Sequence, residues 1–113
     1  MIDKWTLEFV NSVAEKEVKN FPVELQADFL HILSLLIEFG PCNVGLPHTR
    51  VIQGKLWEIR LKSKDNIARS IYYLATGKKI VILHSFIKKT QKTSIAAIQK
   101  AQTRLKGSIY DKI

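Results

Sequence analysis

The pattern of hydrophobic and polar positions changes period along the chain. Residues 5–10 alternate large apolar and polar side chains and put Trp5, Leu7 and Phe9 on one side, the period of a half-buried strand. Ser12-Val13-Ala14-Glu15 has the spacing of a capping box and opens a short helix to about Lys19. Pro22 suits the first turn of a second helix, where its missing N–H costs nothing. This helix runs to Phe39, with Leu25, Phe29, Ile32 or Leu33, and Leu36 at helical spacing, and Gly40-Pro41 stops it. Residues 40–54 contain Gly40, Pro41, Gly45, Pro47 and Gly54 and read as a long irregular connection.

The second half returns to period two. In residues 55–62, Trp57, Ile59 and Leu61 face one way, while Glu58, Arg60 and Lys62 face the other. After the polar turn Ser63-Lys64-Asp65-Asn66, residues 67–75 are β-branched and aromatic and form a further strand. Thr76-Gly77-Lys78 makes a tight turn into residues 79–88, a strand apolar enough to be central. Residues 94–106 read as a helix capped by Ser94 or Thr93, with Ile95, Ile98, Ala101 or Gln102, and Leu105 as a narrow stripe and Gly107 at its end. The order β-α-α-β-β-β-α predicts an α+β fold. Its antiparallel sheet has about four strands, with the helices packed on one face. The other face is then free to carry Arg60, Arg69, His84, Phe86 and Lys88, with Lys89 and Thr90 continuing beyond. Parity over 67–75 stays open: Arg69 shares a side with Ile71 and Tyr73, and Tyr72 points the other way unless a bulge intervenes.

Charge sharpens this picture. Residues 1–49 hold three basic and seven acidic side chains, a net of −4; residues 50–113 hold fifteen and three, a net of +12. An excess so concentrated points to one basic working surface suited to a phosphate backbone, or to a solvated basic face with no ligand. At 113 residues and 46% apolar content the chain has the size and composition of one globular domain. Cys42 is the single cysteine, so an internal disulfide is excluded and a cysteine metal site is not expected. The start carries no signal-peptide pattern, and the longest apolar stretch, near residues 29–39, is broken by His31, Ser34 and Glu38, so a cytoplasmic, non-membrane setting is expected. The basic half offers only Glu58, Asp65 and Asp111 as carboxylates, too few for a divalent-metal nuclease.

Three blocks carry a resemblance: Gly54-Lys55-Leu56-Trp57-Glu58-Ile59-Arg60, then Ala68-Arg69-Ser70-Ile71-Tyr72-Tyr73, then Leu83-His84-Ser85-Phe86-Ile87-Lys88-Lys89-Thr90-Gln91-Lys92-Thr93. In order and spacing they resemble HigB-type toxins of the RelE/ParE superfamily, including phage-derived relatives, over about residues 5–106. Where relatives often have Thr-Pro and then Glu opening the last helix, Ser94 and Ala97 stand here. The resemblance implies a single RelE-like toxin domain over 1–113 and ribosome-dependent mRNA cleavage, and the scarcity of carboxylates in the basic half leads to the expectation that no metal or cofactor is needed. The resemblance also implies a HigA-like helix-turn-helix antitoxin encoded by the adjacent gene, with operator DNA contacted only through that antitoxin. Two other classes compete: a non-catalytic toxin that binds DNA gyrase, as ParE-type members do, and a basic nucleic-acid-binding module.

Metal-free RNA cleavage must orient the 2′-hydroxyl, remove its proton, stabilise the phosphorane and protonate the leaving oxygen. Arg60 and Arg69 suit the phosphorane, because a planar guanidinium binds two phosphate oxygens and stays charged. Lys88 or Lys89, among other cations, can transfer a proton or clamp phosphate. His84 is either an acid–base group or a hydrogen-bonded structural histidine. Glu58 is either the base or, more simply, an arginine partner. Phe86 and one of Tyr72 and Tyr73 can stack on a base, and Lys55, Lys62, Thr90 and Lys92 are expected to contact RNA.

Overall fold

The computed structural model describes residues 4–89 and 93–110. The chain runs β1 (Thr6–Phe9), α1 (Ser12–Lys19), α2 (Val23–Phe39), a single 3₁₀ turn (Pro41–Asn43), β2 (Thr49–Gln53), β3 (Leu56–Lys62), β4 (Ile67–Ala75), β5 (Lys79–Lys88) and α3 (Ile95–Lys106). The sheet is five-stranded and mixed, in the order β1-β5-β4-β3-β2. β2 to β5 form the antiparallel meander, and β1 lies parallel to β5 with Thr6 beside Lys79 and Phe9 beside Ile82. The fold is α+β, as the element order predicts. No helix among the described residues is long and apolar enough to cross a membrane.

Besides the parallel pairing of β1, which departs from the expected antiparallel sheet, two expectations are corrected. The first concerns β2, which occupies part of the segment expected to be an irregular connection. It is a short, mostly exposed edge strand set among glycines, so it has no buried alternation to announce it. The Thr49 hydroxyl helps to anchor its start by donating to the Val44 carbonyl at 2.9 Å.

The second concerns the layers. α2 buries Leu25, Phe29, Ile32, Leu33 and Leu36 against Ile59, Leu61, Ala68, Tyr72, Ile80 and Ile82. The opposite sheet face carries Leu56, Ile71, Val81 and Leu83, and α3 covers it with Ala97 and Ala101. The helices therefore lie on both faces. The physical reason is in β4 and β5, whose successive apolar residues need cover on each side. The small Ala97 and Ala101 give α3 its buried stripe, whereas Ile95, expected in that stripe, is 74% exposed.

The pairing of β4 with β5 slips between Ile71 and Tyr72: Ile71 opposes His84 and Tyr72 opposes Ile82, leaving Leu83 as the extra residue of a bulge. Tyr72 points into the α2 core, and Tyr73 packs half-buried beneath α3. Caps also differ in detail. Asn11, not Ser12, caps α1 by accepting from the Ala14 N–H at 2.8 Å. Ser94 caps α3 by accepting from Ala97 at 3.1 Å, which frees Thr93 for another role.

Candidate active site

On the α3 side, the half of the sheet beyond the apolar patch under α3 carries charge. Arg60 of β3 lies directly opposite Arg69 of β4, and Arg69 lies opposite Phe86 of β5. One pair along, Glu58 of β3 lies opposite Arg50 of β2. Because side chains alternate along a strand, these residues share one face.

Glu58 is the centre of the group and is fully buried. Its Oε2 accepts from Arg50 Nε at 3.2 Å and from Arg60 Nη1 at 3.2 Å, with Arg69 Nε at 3.7 Å. Its Oε1 accepts from the Thr93 hydroxyl at 2.7 Å. Both oxygens are thus occupied, which fits the simpler of the two readings, an arginine partner.

Arg69 is only 3% exposed. Its Nη1 donates to the Ala68 carbonyl at 2.9 Å, and its buried Nε has no hydrogen-bond partner among the described residues. Burial, reinforced by Arg60 and Arg50 and opposed by Glu58, pushes its guanidinium below the ordinary arginine value. An arginine still keeps its proton at any physiological pH. Lys88, at the end of β5, is also buried. Burial first, then Arg69, Arg60 and Arg50 against the opposing pull of Glu58, lower its ammonium below the usual lysine range. The cluster therefore holds more positive charge than Glu58 can balance.

Arg60 and Arg69 also reach a cleft of about 520 Å³, bounded by Asp28 of α2, Leu46, Pro47 and His48 before β2, and Leu61, Lys62 and Ile67 around the β3–β4 turn. His48 sits edge-on to His31 of α2, with ring centroids 6.0 Å apart, and its carbonyl accepts from the Arg60 N–H at 2.7 Å. The Lys62 N–H donates to Asp28 Oδ2 at 2.9 Å, tying α2 to the end of β3.

Of the residues singled out in the sequence, Glu58, Arg60, Arg69 and Lys88 come together, and Lys62 lines the adjoining cleft. Phe86 flanks Arg69 across the strands. Lys89 is exposed just past β5, and Lys55 is exposed in the turn before β3, at the other end of that strand from Arg60. Tyr73 belongs to the apolar cluster under α3. Thr90 and Lys92 lie outside the described residues.

His84 belongs to a different group. Its Nδ1 pairs with Glu17 Oε1 of α1 at 3.0 Å, and its ring stacks on Phe86 with centroids 5.0 Å apart. Glu17 also takes both guanidinium nitrogens of Arg104 at 2.8 and 2.9 Å and the Ser85 N–H at 3.1 Å. These bonds clasp α1, β5 and α3 together. The carboxyl of Glu17 is raised by burial, but the bonds from Arg104, Ser85 and His84 outweigh that and hold it below its ordinary value of 4.5. His84 is held below its ordinary 6.5 by burial and by Arg104 and Lys100, with Glu17 opposing.

Both lowered values have the same sign in stability. The clasp contributes fully above the unfolded-state values, and its contribution falls with pH as His84 and then Glu17 take up protons through their lowered folded-state values. Glu17→Gln is expected to cost about 2 kcal/mol at neutral pH, the scale of charge-assisted bonds lost from a half-buried group. It is also expected to steepen the loss of stability as pH falls from 7 to about 5, because Glu17 opposes the lowering of His84, and to flatten it below 4.5, where the Glu17 carboxyl no longer titrates. Urea midpoints at a series of pH values check this, and an unchanged pH slope in the variant contradicts it.

Two cluster residues escaped the sequence reading. Arg50 lies in the segment expected to be a loop, and the available signal was the β-branched run Thr49-Arg50-Val51-Ile52. Thr93 was read only as a possible cap. Among the described residues, no group of three or more His, Cys, Asp or Glu side chains is placed to hold a metal ion.

A mixed α+β sheet with a buried arginine–carboxylate cluster opening on a cleft defines the class of protein at hand. More narrowly, the chain belongs to a phage-derived family: the family model described as "Phage derived protein Gp49-like (DUF891)" matches residues 16–106, a span that takes in the whole cluster. That family is tied to the RelE/ParE-like toxins of toxin–antitoxin modules. No curated protein matches the chain.

Proposed function

We propose that this protein is a HigB-type toxin of a type II toxin–antitoxin module, and that it stops translation by cutting mRNA on the ribosome without a metal ion. The observation that carries the reading is the juxtaposition of Arg60 and Arg69 across β3 and β4, both reaching an open cleft and both backed by Glu58.

In this reaction the 2′-oxygen of one nucleotide attacks the adjacent phosphorus. The O2′–P bond forms as the 2′-hydroxyl gives its proton to solvent water, the P–O5′ bond breaks, and the products carry a 2′,3′-cyclic phosphate and a 5′-hydroxyl. Charge builds on the phosphorane oxygens. Guanidinium forks fixed beforehand stabilise that charge more than they stabilise the ground state. Glu58 acts as a positioning residue: bonded to Arg50, Arg60 and Thr93, it holds the forks in place and lowers the repulsion among them. Lys88, whose ammonium releases its proton more readily than an ordinary lysine, donates to the leaving O5′. Phe86 supplies an aromatic surface beside Arg69 for a splayed-out base.

A protein with this activity needs a neutraliser. The reading therefore includes a HigA-like helix-turn-helix antitoxin from the adjacent gene, which carries the contact with operator DNA. The test is a reporter mRNA made in two forms, with and without its start codon, in cells where the chain is induced. Cleavage of the translated form alone is expected. Equal cleavage of both forms contradicts dependence on the ribosome.

A further inference from the structure

The cleft beside the arginine pair has a mixed character that the charge cluster does not use. Its positive lining is Arg60 and Arg69, together with Lys62, whose N–H donates to Asp28 Oδ2 near the β3–β4 turn. Its walls include Leu46, Pro47 and Ile67, and among the described residues its one acidic lining residue is Asp28, contributed by the acidic half of the chain. Its volume of about 520 Å³ lies within the range of roughly 300–1,000 Å³ typical of small-ligand sites.

A ligand that satisfies all three parts is anionic at one end, flat and apolar in its middle, and rich in N–H donors on its far edge. A nucleotide has this form, with its phosphate on the guanidiniums and its base between the apolar walls. The donor edge then decides which base. A carboxylate offers two acceptor oxygens in a plane. Guanine presents two adjacent N–H donors on one edge, N1–H and the 2-amino group, and this matches a carboxylate in bidentate fashion. Adenine and cytosine present one amino group beside a ring acceptor that faces the carboxylate unfavourably. The bond from the Lys62 N–H to Asp28 Oδ2 fixes the carboxylate and still leaves lone pairs on both oxygens.

We infer that this cleft is a guanine-selective nucleotide site in which Asp28 reads the base while Arg60 and Arg69 hold the phosphate. The inference rests on the RNA-cleaving reading for its substrate class and adds to it a base preference next to the cut.

The experiment titrates the full chain with guanosine, inosine, adenosine and cytidine 3′-monophosphates by calorimetry. The wild type is expected to bind the guanosine nucleotide roughly ten- to a hundred-fold more tightly than the other three, the discrimination a good bidentate pair supplies. Inosine lacks only the 2-amino group, so its deficit needs no variant to interpret. Asp28→Asn keeps an acceptor for the Lys62 N–H and is expected to lose the guanine preference while retaining phosphate-driven binding. Arg60→Gln is expected to weaken all four nucleotides alike. Equal affinities in the wild type, or a guanine preference that survives in a folded Asp28→Asn chain, overturn the inference. Ribosome-dependent cleavage with no guanine bias also overturns it and leaves the proposed activity standing. Guanine-selective binding without any mRNA cleavage supports the site and removes the activity.

Discussion

Replacing Arg60 with alanine is expected to lower the rate of mRNA cleavage roughly 100- to 1,000-fold, the usual consequence of removing one fixed donor from a developing oxyanion. The fold is expected to survive, because the Arg60 side chain is 25% exposed and its removal leaves Arg50, Arg69 and Thr93 around Glu58. Binding to the ribosome is expected to change far less than the rate, since the interaction strengthens as charge develops on the phosphorane. Arg69 is a different case. The expectation that both arginines lie open on the sheet does not hold for it, because it is buried to 3% exposure. Arg69→Ala therefore loses packing and leaves a cavity along with the charge, so its activity loss is expected to come with lower stability. Arg69→Lys keeps the charge and most of the volume but not the fork, and is expected to retain more stability than rate. Single-turnover cleavage beside urea unfolding of each variant checks both statements. A folded Arg60→Ala chain that cuts at the wild-type rate contradicts the assignment.

Glu58→Gln is expected to be the most destabilising polar substitution in the protein. It removes the carboxylate that Arg50, Arg60 and Arg69 share and leaves Arg69 buried with its charge unbalanced among the described residues. Removing one member of a buried ion pair costs about 3–5 kcal/mol, because the remaining charge keeps its desolvation penalty. Thr93 is left with a neutral amide acceptor for its 2.7 Å bond, which weakens the link from the start of α3 to β3. The double variant Glu58→Gln/Arg69→Met removes the stranded charge and is expected to regain part of the loss, though not the activity. Urea midpoints for the two singles and the double give the coupling directly. If Glu58→Gln unfolds at the wild-type midpoint, the buried carboxylate does not organise the cluster.

The strands and helices that bury one side only were the most legible from residues alone. The alternation of Trp57, Ile59 and Leu61 against Glu58, Arg60 and Lys62 places the site residues on one face of β3 without ambiguity. The 17-residue α2 follows from its broad apolar stripe. What failed to show follows from the same physics. β4 and β5 are apolar on both sides, so their pattern gives no parity, and the bulge at Leu83 sets it instead. α3 crosses to the second face on Ala97 and Ala101, residues too small to stand out in a hydrophobic stripe. β2 is an edge strand with little to bury, and with it Arg50 went unseen. His84 was open between two roles, and its place in the clasp with Glu17 and Arg104 depends on helices 67 and 20 residues away in the chain. Asp28 and His48 reach the cleft only through the packing of α2 and the loop before β2, a long-range outcome that spacing along the sequence does not encode.

The most direct measurement of the central claim is the mapping of mRNA ends within minutes of inducing the chain. The account predicts new 5′-hydroxyl ends inside translated regions, each paired with an upstream 2′,3′-cyclic phosphate, and their absence when Arg60→Ala is induced instead. Intact mRNA accompanied by double-strand breaks in DNA would contradict the account and identify a toxin that acts on gyrase.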